Sequence, residues 1–503
     1  MYLLRHTASA ALLALLTACG GGGGAGSDFG STPPAVTPVA TSTGLAQICA
    51  PENPLVKDAL EKTRTGTLSD EKKWIQAYMT ERYLWYRDMP NLNADSARYQ
   101  VNTNGAINAV RSLANYFYDS LTPLKTASGT AVDKFSFLID TGSWNSFVDS
   151  TDLGYGWMLK SSSATGQRVV TVSYVYPNSP AMAAGIQRGD QVVSIDGALA
   201  SDTSVSAMAI FSEGTYPTRA ASHAMVLSRA GTSLSKTLVA STVNLQQAEY
   251  KLVNSNGRTA GYVLFNSHVP NAESYLIKAM TAFKQQNVKE LVVDLRYNTG
   301  GYLSIANALA YAVAGDARAK GRVFELARYS DKRSSENYPM TFSNVGLSNQ
   351  IYPTLGLSKI YVLVSGSTCS ASESFVNGLR GIDVEVELIG TTTCGKPYGF
   401  VPQDNCGLTY AAMEIEGVNA KGQGGYSEGM VPQCAVNDDV NHALGDPAEA
   451  LLSVAFKRMQ GMSCAQAAGL TLGSKSLSSM ALRDDGVLMR PQWQQNKIWP
   501  TVH

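Results

Sequence analysis

The alternation of apolar and polar positions divides the chain into regions of different character. Residues 70–86 and 108–120 carry apolar side chains at helical spacing, whereas residues 169–175 alternate as a half-buried strand does. From about residue 248 the pattern changes to short apolar strands separated by helices. Such continuous apolar strands predict a largely parallel sheet that is buried on both faces. We therefore expect a multidomain α+β protein.

The last of these regions contains the elements of an α/β core in regular order. The predicted strands are 260–265, 290–295, 359–364 and 384–389, and the predicted helices are 272–286, 304–314 and 371–379. In sheets of this kind, functional sites form at the carboxyl ends of the strands. The loops that follow residues 295, 364 and 389 are therefore where we look for chemistry.

Length and composition support several folded domains. The chain has 503 residues, more than a single hydrophobic core organises. Charged residues make up 16%, which indicates a weakly charged surface. Lys plus Arg and Asp plus Glu are both 40, and no basic stripe is interleaved with aromatic residues. This balance argues against a nucleic-acid partner.

The N-terminus has the pattern of a secretory signal. An apolar run over residues 8–16 leads into Leu16-Thr17-Ala18-Cys19, which resembles a bacterial lipobox. That resemblance implies a lipid anchor on Cys19, and Gly20 after it favours the outer membrane of a Gram-negative bacterium. Residues 20–44 are typical of a flexible tether. A plain signal peptide is the alternative, and no later apolar run is long enough to span a bilayer.

Besides Cys19, six cysteines remain, an even number that favours disulfides in an oxidising compartment. Sequence does not choose among the possible pairings. We favour Cys369 with Cys394, Cys406 with Cys434, and Cys49 with Cys464. A zinc site is the competing interpretation, but no Cys-x-x-Cys or histidine cluster supports it. We predict neither a metal ion nor a cofactor.

Residues 178–197 carry the helix-start, helix-end and turn signals of a small β-rich module. Ser179-Pro180 predicts a helix start, Gly185 its end and Gly189-Asp190 a turn before an apolar strand. The run resembles a PDZ domain of the bacterial protease type. The resemblance implies that backbone N–H groups cradle a peptide carboxylate while the next strand pairs with the peptide, and it assigns this site to Gly154, Tyr155, Gly156 and Trp157. A generic β-rich domain is the alternative.

Two predicted strands end in unusual loops. Residues 290–295 run into Asp294-Leu295-Arg296-Tyr297-Asn298-Thr299-Gly300-Gly301, and residues 359–364 precede Ser367-Thr368-Cys369-Ser370-Ala371-Ser372-Glu373. Gly395-Lys396 follows the next strand. As a set, these motifs resemble the carboxy-terminal processing proteases, relatives of the tricorn protease core. The resemblance extends from about residue 70 to 460 and includes the PDZ-like insertion.

This resemblance implies a crotonase-like or tricorn-like α/β core and a serine endopeptidase that cleaves periplasmic or cell-surface polypeptides. It makes Ser370 the nucleophile and Lys396 the general base. A serine hydroxyl needs such a base. The pKa of the lysine must fall from about 10.4 towards neutrality, equivalent to about 4 kcal/mol, which burial can supply. The N–H of Ala371, with that of Gly300 or Gly301, is the expected oxyanion hole.

Three features depart from the family pattern. The spacing between serine and lysine is one residue longer than usual, and Phe400 stands where a lysine-orienting glutamine often occurs. We assign that orienting role to Gln403. The tricorn-like branch uses a histidine where this chain has Asp133-Lys134-Phe135-Ser136. This last difference favours a Ser-Lys dyad.

Several alternatives compete with this assignment. Ser370 and Glu373 also fit a helix capping box, and Ser372 is the neighbouring hydroxyl. His268 is an alternative base. The segment 425–429 matches Gly-x-Ser-x-Gly, with Asp438 and His442 downstream, but it lacks the strand and helix that a nucleophile elbow needs.

The predicted organisation is therefore as follows: a signal peptide (1–19), a tether (20–44), a small helical domain (45–148), a PDZ-like domain (149–245), a protease core (246–460) and a C-terminal extension (461–503). The alternative function is a non-catalytic lipoprotein that binds peptides or lipids on a protease scaffold. Whether the PDZ-like domain tethers substrates or gates the active site stays open.

Overall fold

A computed structural model describes residues 41–149, 151–164, 166–467 and 487–489. The predicted signal peptide, Cys19 and most of the tether lie outside the described residues. Every helix within the described ranges is too short or too polar to cross a membrane.

The N-terminal region is built around two helices. Its elements are α1 (Ser42–Leu45), β1 (Ile48–Cys49), β2 (Arg64–Thr65), α2 (Leu68–Arg82), β3 (Asn102–Thr103), β4 (Ala106–Ile107), α3 (Ala109–Asp119), β5 (Phe137–Asp140) and α4 (Thr141–Val148), with 3-10 helices at Pro54–Asp58, Tyr86–Asp88 and Ala97–Tyr99. The Thr67 hydroxyl accepts from the Asp70 N–H and caps α2. Both helices bury aromatic side chains against Tyr410 of the third region, so the N-terminal region shares its core with later residues.

The middle region is an antiparallel β-structure. Its elements are β6 (Thr151–Gly154), β7 (Trp157–Ala164), β8 (Gln167–Val175), α5 (Pro180–Ala183), β9 (Gln191–Ile195), β10 (Ala198–Leu199), α6 (Val205–Thr215), β11 (Ser222–Arg229), β12 (Thr232–Val239) and β13 (Ser241–Asn244). The main sheet has the order β12-β11-β9-β8-β7. Ser179 caps α5 as predicted, because its hydroxyl accepts from the Met182 N–H.

The third region carries most of the remaining elements. They are β14 (Ala248–Ser255), β15 (Arg258–Phe265), α7 (Glu273–Gln285), β16 (Leu291–Asp294), α8 (Leu303–Ala314), α9 (Asp316–Ala319), β17 (Val323–Tyr329), β18 (Tyr338–Thr341), β19 (Lys359–Val364), α10 (Ala371–Gly381), β20 (Glu385–Gly390), β21 (Tyr398–Gly399), β22 (Gln403–Asn405), β23 (Leu408–Ala411), β24 (Ile415–Val418), β25 (Cys434–Ala435), α11 (Ala450–Met459) and α12 (Cys464–Ala467). Two 3-10 helices lie at Pro270–Ala272 and Asp331–Glu336. The last described strand is β26 (Val487–Met489).

A central sheet of order β14-β15-β16-β19-β20-β25 confirms the predicted parallel core. Every strand from β15 onward is parallel to its neighbour. Alternate residues face opposite sides: Val293 and Val362 pack with the residues of α7, α8 and α10, whereas Val292 and Leu363 pack with α11. The predicted strands and helices of this core agree with the observed bounds to within two residues.

Two smaller sheets flank the core and were not predicted. One has the order β18-β17-β24-β21, and the other joins β22 and β23 to β5 of the N-terminal region. Their strands are short, and several mix polar and apolar residues without clear periodicity. They matter because their residues form walls of the site described below. The domain boundaries proposed from sequence stay a prediction.

Six cysteines of the described chain form three disulfides, Cys49–Cys406, Cys369–Cys394 and Cys434–Cys464. The expected pairings of Cys406 with Cys434 and of Cys49 with Cys464 were wrong. Gln47 accounts for the first correction, since its side chain accepts from the Cys406 N–H and brings β1 beside that cysteine. These bonds also leave none of the six as a free thiolate for zinc.

Within the predicted C-terminal extension (461–503), the structure describes residues 461–467, which include α12, and the strand β26. β26 pairs antiparallel with β7, with Met489 opposite Leu159 and Val487 opposite Ser161. Because β8 pairs with the other edge of β7, both edges of β7 are occupied at residues 159–161.

Candidate active site

Ser370 stands at the turn between β19 and α10, as predicted. Its φ of 58° and ψ of −118° lie outside the regions that residues other than glycine favour. Hydrogen bonds hold it there: the Cys369 N–H donates to the Asn298 carbonyl at 3.1 Å, and the Ser370 N–H donates to Glu373 Oε2 at 3.0 Å. The backbone conformation is therefore imposed by neighbours on both sides of the serine.

Glu373 connects the serine turn to the loop that carries Lys396. Its carboxylate accepts from the N–H groups of Ser370, Gly395 and Lys396 and from the Thr393 hydroxyl. Burial raises the pKa of Glu373, while these donors oppose that shift. The Glu373 N–H donates to the Ser370 carbonyl at 2.8 Å. Glu373, which the sequence places in a possible helix capping box, therefore also holds the Ser370 turn and the Lys396 loop together.

The Cys369–Cys394 disulfide reinforces the same connection. It joins the residue before Ser370 to the residue two positions before Lys396. The Cys394 N–H also donates to the Thr368 carbonyl at 3.0 Å. Covalent and hydrogen bonds therefore fix these two loops against each other.

Lys396 is only 3% exposed and lines the same cavity as Ser370. Its Nζ lies 5.0 Å from the ring centre of Phe400 and 5.6 Å from that of Phe135. Burial lowers the pKa of Lys396 to about 8, against the opposing effect of the carboxylates of Asp133 and Glu373. Within the described residues, Nζ makes neither a hydrogen bond nor an ion pair. The lysine is therefore a base that can be neutral close to physiological pH.

Phe135 is held in place by Asp133, which belongs to the segment where the tricorn-like branch carries a histidine. Asp133 Oδ1 accepts from the N–H groups of Phe135 and Ser136, both at 2.9 Å. Its Oδ2 accepts from the hydroxyl of Tyr83 at 2.7 Å. The segment therefore supplies an aromatic wall for Lys396.

The cavity has a volume of about 330 Å³. Apolar side chains from three parts of the chain line most of it: Phe137, Ile139, Trp144, Val148, Val269, Leu303, Phe400 and Ile415. Ser370, Ser374, Lys396 and Glu325 supply the side chains in its lining that carry a hydroxyl or a charge, beside Thr299 and the phenols of Tyr302 and Tyr398. The site is thus an apolar cleft with a few polar groups.

The paired glycines lie against the serine turn. Gly300 has φ 102°, and a Cβ there would lie 2.8 Å from the Cβ of Ser370 and 3.0 Å from the Ala371 nitrogen. Gly301 has φ 135°, and a Cβ there would lie 2.3 Å from the His268 carbonyl oxygen. Only glycine satisfies both the dihedral angles and the close approach.

The structure distinguishes the three predicted oxyanion donors. The Gly300 N–H donates to Asn298 Oδ1 at 2.9 Å, so it is already engaged. The N–H groups of Ala371 and Gly301 have no acceptor in the part of the chain that the structure describes. These two remain available to a substrate.

His268 lies behind the glycine loop, outside the cavity lining. Its Nδ1 is 3.0 Å from Asn298 Oδ1, and burial lowers the pKa of His268 to about 4. Because Asn298 Oδ1 is an acceptor, the neutral ring carries its proton on Nδ1. This arrangement fits a buried positioning residue for the glycine loop and weakens the alternative in which His268 is the base.

The side chain of Gln403 forms no hydrogen bond with Lys396 in the described structure. It begins β22, and its side-chain amide donates to the Pro402 carbonyl at 3.0 Å. The predicted orienting hydrogen bond is therefore not formed in this structure, and the aromatic rings of Phe135 and Phe400 contact the amine instead.

The four PDZ-like residues run from the end of β6 to the first residue of β7. Gly154 pairs with Ser241, and the Tyr155 carbonyl accepts from the Ala181 N–H. Gly156 has φ 67°, and a Cβ there would lie 2.4 Å from that of Ser179. The strand beside them, β7, carries β26 on the edge where a peptide would pair.

The alternative Gly-x-Ser-x-Gly motif does not form a triad. Asp438 is engaged by Arg188 and Arg296 in ion pairs, and His442 contacts the neighbouring Asp439 at 2.6 Å. Ser427 lies in a loop without the flanking strand and helix of a nucleophile elbow.

Comparison with protein families gives three matches. Residues 259–404 match peptidase family S41, residues 70–137 match the peptidase S41 N-terminal domain, and residues 171–208 match the PDZ domain. Together they cover the core motifs, the N-terminal region and part of the middle region.

Individual relatives agree with these matches. The chain is 27% identical over 231 residues to a carboxyl-terminal-processing protease of Picosynechococcus, covering 45% of this chain and 51% of the relative. It is 23% identical over 273 residues to the carboxy-terminal processing protease CtpB of Bacillus subtilis, covering 53% and 52%. The chain thus spans about half the length of these curated relatives.

A solved structure of a Bacteroides fragilis protein assigned to the S41 proteases supports the fold. It superimposes with a TM-score of 0.60 at 24% identity, covering 77% of this chain and 97% of that one.

Proposed function

We propose that this chain, which belongs to peptidase family S41, is a serine endopeptidase of the carboxy-terminal processing type that uses Ser370 and Lys396 as a catalytic dyad. One observation carries the proposal: a serine in a strained strand-to-helix turn and a buried lysine with a lowered pKa line the same cavity. Its substrates are polypeptides, and we place it outside the cytoplasm, lipid-anchored at Cys19.

In the first half-reaction, the neutral Lys396 amine takes the proton of the Ser370 hydroxyl while the oxygen attacks the scissile carbonyl carbon. Negative charge passes to the carbonyl oxygen. The free N–H groups of Ala371 and Gly301 are the donors that stabilise it, and the α10 N-terminus adds its dipole. When the tetrahedral adduct collapses, the C–N bond breaks, and the Lys396 ammonium returns a proton to the leaving amine.

The second half-reaction reverses the roles. Lys396, again neutral, takes a proton from water as its oxygen attacks the acyl-serine ester. Collapse of the second adduct restores the Ser370 hydroxyl and releases a carboxylate product. The apolar walls keep the amine poorly solvated throughout, which favours its neutral form.

Substrate capture is the finer part of the proposal. A polypeptide tail would pair with β7 while the backbone around Gly154, Tyr155, Gly156 and Trp157 receives its carboxylate. The PDZ match over residues 171–208 supports a module of this type, and the four residues join β6 to β7, the strand that would pair with the tail. Gln403 keeps no role in the proposal, because its amide bonds elsewhere.

The test is cleavage of an unfolded protein by the wild type and by variants at each position. Ser370→Ala and Lys396→Ala should each lower the rate by at least about 10³-fold. Ser372→Ala and His268→Ala serve as hydroxyl and imidazole controls and should still be acylated. His268→Ala should lose rate without losing acylation, because its side chain positions the glycine loop. Mass spectrometry after treatment with a fluorophosphonate should find the adduct on Ser370. Equal recovery of intact substrate from wild type and Ser370→Ala would instead favour a non-catalytic binding protein.

A further inference from the structure

One carboxylate in the cavity wall has no cationic partner within the described chain. Glu325, on β17, is 6% exposed and lines the cavity together with Ser370 and Lys396. The other acidic groups near the dyad, Asp133 and Glu373, are engaged by several N–H and O–H donors. Glu325 is different because the Ser374 hydroxyl alone opposes the rise in its pKa, although the residue lines the space that a substrate would fill.

No cation compensates this carboxylate within the described chain. Glu325 forms no ion pair there, and the carboxylates that act on Lys396 are Asp133 and Glu373. Its polar neighbours are the hydroxyl of Ser374 and the phenol of Tyr426. Burial raises the pKa of Glu325 to about 7, with only Ser374 opposing the shift. A buried carboxylate in this position is destabilised until a donor arrives.

The fold makes room for the carboxylate. On β24 beside it, Gly417 has no side chain, and a Cβ there would lie 2.6 Å from the carboxyl carbon of Glu325 and 2.7 and 2.8 Å from its oxygens. Any larger residue at 417 would displace the carboxylate. The two strands therefore hold Glu325 against bare backbone at the cavity wall.

The rest of the cavity suits an aliphatic stem. Trp144, Val269 and Leu303 are among the apolar side chains that line it. A long side chain with an apolar stem and a cationic end matches an apolar cleft with a carboxylate in its wall. Lysine and arginine are the residues with this chemistry.

We propose that Glu325 is a specificity-determining residue that selects a lysine or arginine side chain next to the scissile bond. The proposal rests on the proposed protease function and names its substrate class. A cationic end would pair with Glu325, whereas an apolar side chain would leave the carboxylate buried and unpaired.

The experiment has two stages. A library of unfolded peptides is first cleaved by the wild type, and mass spectrometry identifies the position flanking the scissile bond at which lysine and arginine are enriched. A peptide pair with lysine or norleucine at that position then gives the ratio of kcat/KM, since norleucine keeps the stem and removes the charge. The ratio is measured in the wild type, in Glu325→Gln and in Glu416→Gln, a control on β24 whose carboxylate does not line the cavity.

We expect the wild type to prefer the lysine peptide by at least about tenfold. Glu325→Gln should bring the ratio to about one or below, and Glu416→Gln should leave it unchanged. An unchanged ratio in Glu325→Gln, or a wild-type preference for norleucine, would overturn the assignment. Loss of all cleavage in the wild type would contradict the proposed function itself, which is a separate outcome.

A pH series on the wild type keeps the proposal testable if Glu325→Gln does not fold. The preference for lysine over norleucine should increase with pH through about 7 as Glu325 ionises. Titration of Lys396 affects both peptides equally and cancels in the ratio. The other titratable groups close to this wall are three phenols and two carboxylates. The phenols of Tyr302, Tyr398 and Tyr426 have raised pKa values and stay neutral, and the carboxylates of Glu373 and Glu416 act on both peptides alike. A ratio independent of pH between 5.5 and 8.5, a range of about three pH units around that midpoint, would contradict the role.

A different observation supports a second inference, which rests on the proposed capture of peptide tails. β26 already pairs with the edge of β7 that a tail would use, and β8 pairs with the other edge. Leu488 is 8% exposed and packs into the cluster that contains Tyr174. We infer that Val487–Met489 is an autoinhibitory strand that substrate tails must displace from β7.

Peptide binding in the Ser370→Ala full chain tests this inference. The probe is a fluorescent peptide that ends in Val-Leu-Met with a free carboxylate, followed by anisotropy. Leu488→Asp removes an apolar anchor and should raise the peptide affinity at least about tenfold. Val487→Asp is the matched control, because Val487 is 56% exposed.

Equal affinity of the unaltered chain and Leu488→Asp would overturn the inference, as would absence of binding to both. A second measurement does not depend on the variant folding normally. Saturating peptide should increase hydrogen exchange at residues 487–489 in the unaltered chain, and unchanged exchange there would contradict displacement.

Discussion

Two buried groups of charges in this protein have opposite character. In the first, Asp438 accepts from Arg188 at 2.6 Å, Arg296 at 2.8 Å and Lys160 at 3.2 Å, and from the Tyr297 hydroxyl at 2.5 Å. In the second, around the cavity, Lys396 and Glu325 are also buried, at 3% and 6% exposure, but they form no ion pair within the described chain.

The consequences for protonation differ accordingly. Burial alone would raise the pKa of Asp438, but the adjacent guanidinium groups hold it well below its usual range. At the cavity, burial dominates, so the pKa of Lys396 falls to about 8 and that of Glu325 rises to about 7. A buried charge that is fully paired keeps one protonation state, whereas an unpaired one can exchange a proton near neutral pH.

The paired group also connects regions of the chain. Lys160 and Arg188 belong to the middle region, whereas Arg296 starts the loop that carries the paired glycines. Arg296 is fully buried and also bonds Asp294 and Glu449. The ion pairs around Asp438 thus hold the loop whose glycines lie against Ser370, beside the cavity that Lys396 and Glu325 line.

The largest expected effect comes from removing the unpaired amine. Lys396→Met keeps the volume of the side chain but cannot accept a proton, so kcat/KM should fall by at least about 10³-fold. The measurement is peptide cleavage at saturating and limiting substrate. Retention of more than about a tenth of the activity would show that another group is the base.

Removing the charge of Asp438 from the paired group should lower the free energy of unfolding rather than the rate of catalysis. Asp438→Asn leaves two buried guanidinium groups without their shared carboxylate, and we expect the free energy of unfolding to fall by about 3–5 kcal/mol. Denaturant unfolding measures this change. The control is Asp439→Asn. Within the described chain that carboxylate forms its ion pair with the half-exposed His442 and accepts from the Asn441 N–H, so its charge should contribute less than about 1 kcal/mol. Equal losses in both variants would contradict the distinction.

Burial of Lys396 should make the folded state less stable at neutral pH. Its folded-state pKa of about 8 lies below the unfolded value of about 10.4, so the unfolded chain binds more protons between these limits and stability rises with pH there. Lys396→Met should therefore stabilise the protein by up to about 3 kcal/mol at pH 7. Unfolding at pH 7 and at about pH 9.5 checks this, since the gain should be smaller at the higher pH.

The pH profile of cleavage separates the two candidate bases. With Lys396 as the base, kcat/KM for an uncharged peptide should rise about tenfold per pH unit below about 8 and then level off. With His268, whose pKa is about 4, the profile would already be flat at pH 6. A flat profile between pH 6 and 9, about three pH units, would therefore remove Lys396 from the mechanism.

Much of the core could be predicted from the sequence, because strands that are buried on both faces consist of continuous apolar residues. Apolar runs such as 291–294 and 359–364 fit strands covered on both faces, and each observed bound lies within two residues of the predicted one. The flanking strands β17, β21 and β24 were missed because they are short or mixed in polarity. Glu325 was missed with them, since nothing in its neighbours along the chain distinguishes a cavity carboxylate from a surface one.

The sequence by itself determined the central parallel sheet, the strand-to-helix turn at Ser370, the lysine after the next strand and the two glycines that face the turn. These follow from residue type and local periodicity, which act over a few positions. Only the tertiary structure decided which distant groups meet: Phe135 with Lys396, Cys49 with Cys406, and β26 with β7. The physical reason is that pairing, desolvation and the resulting pKa values depend on contacts between segments hundreds of residues apart.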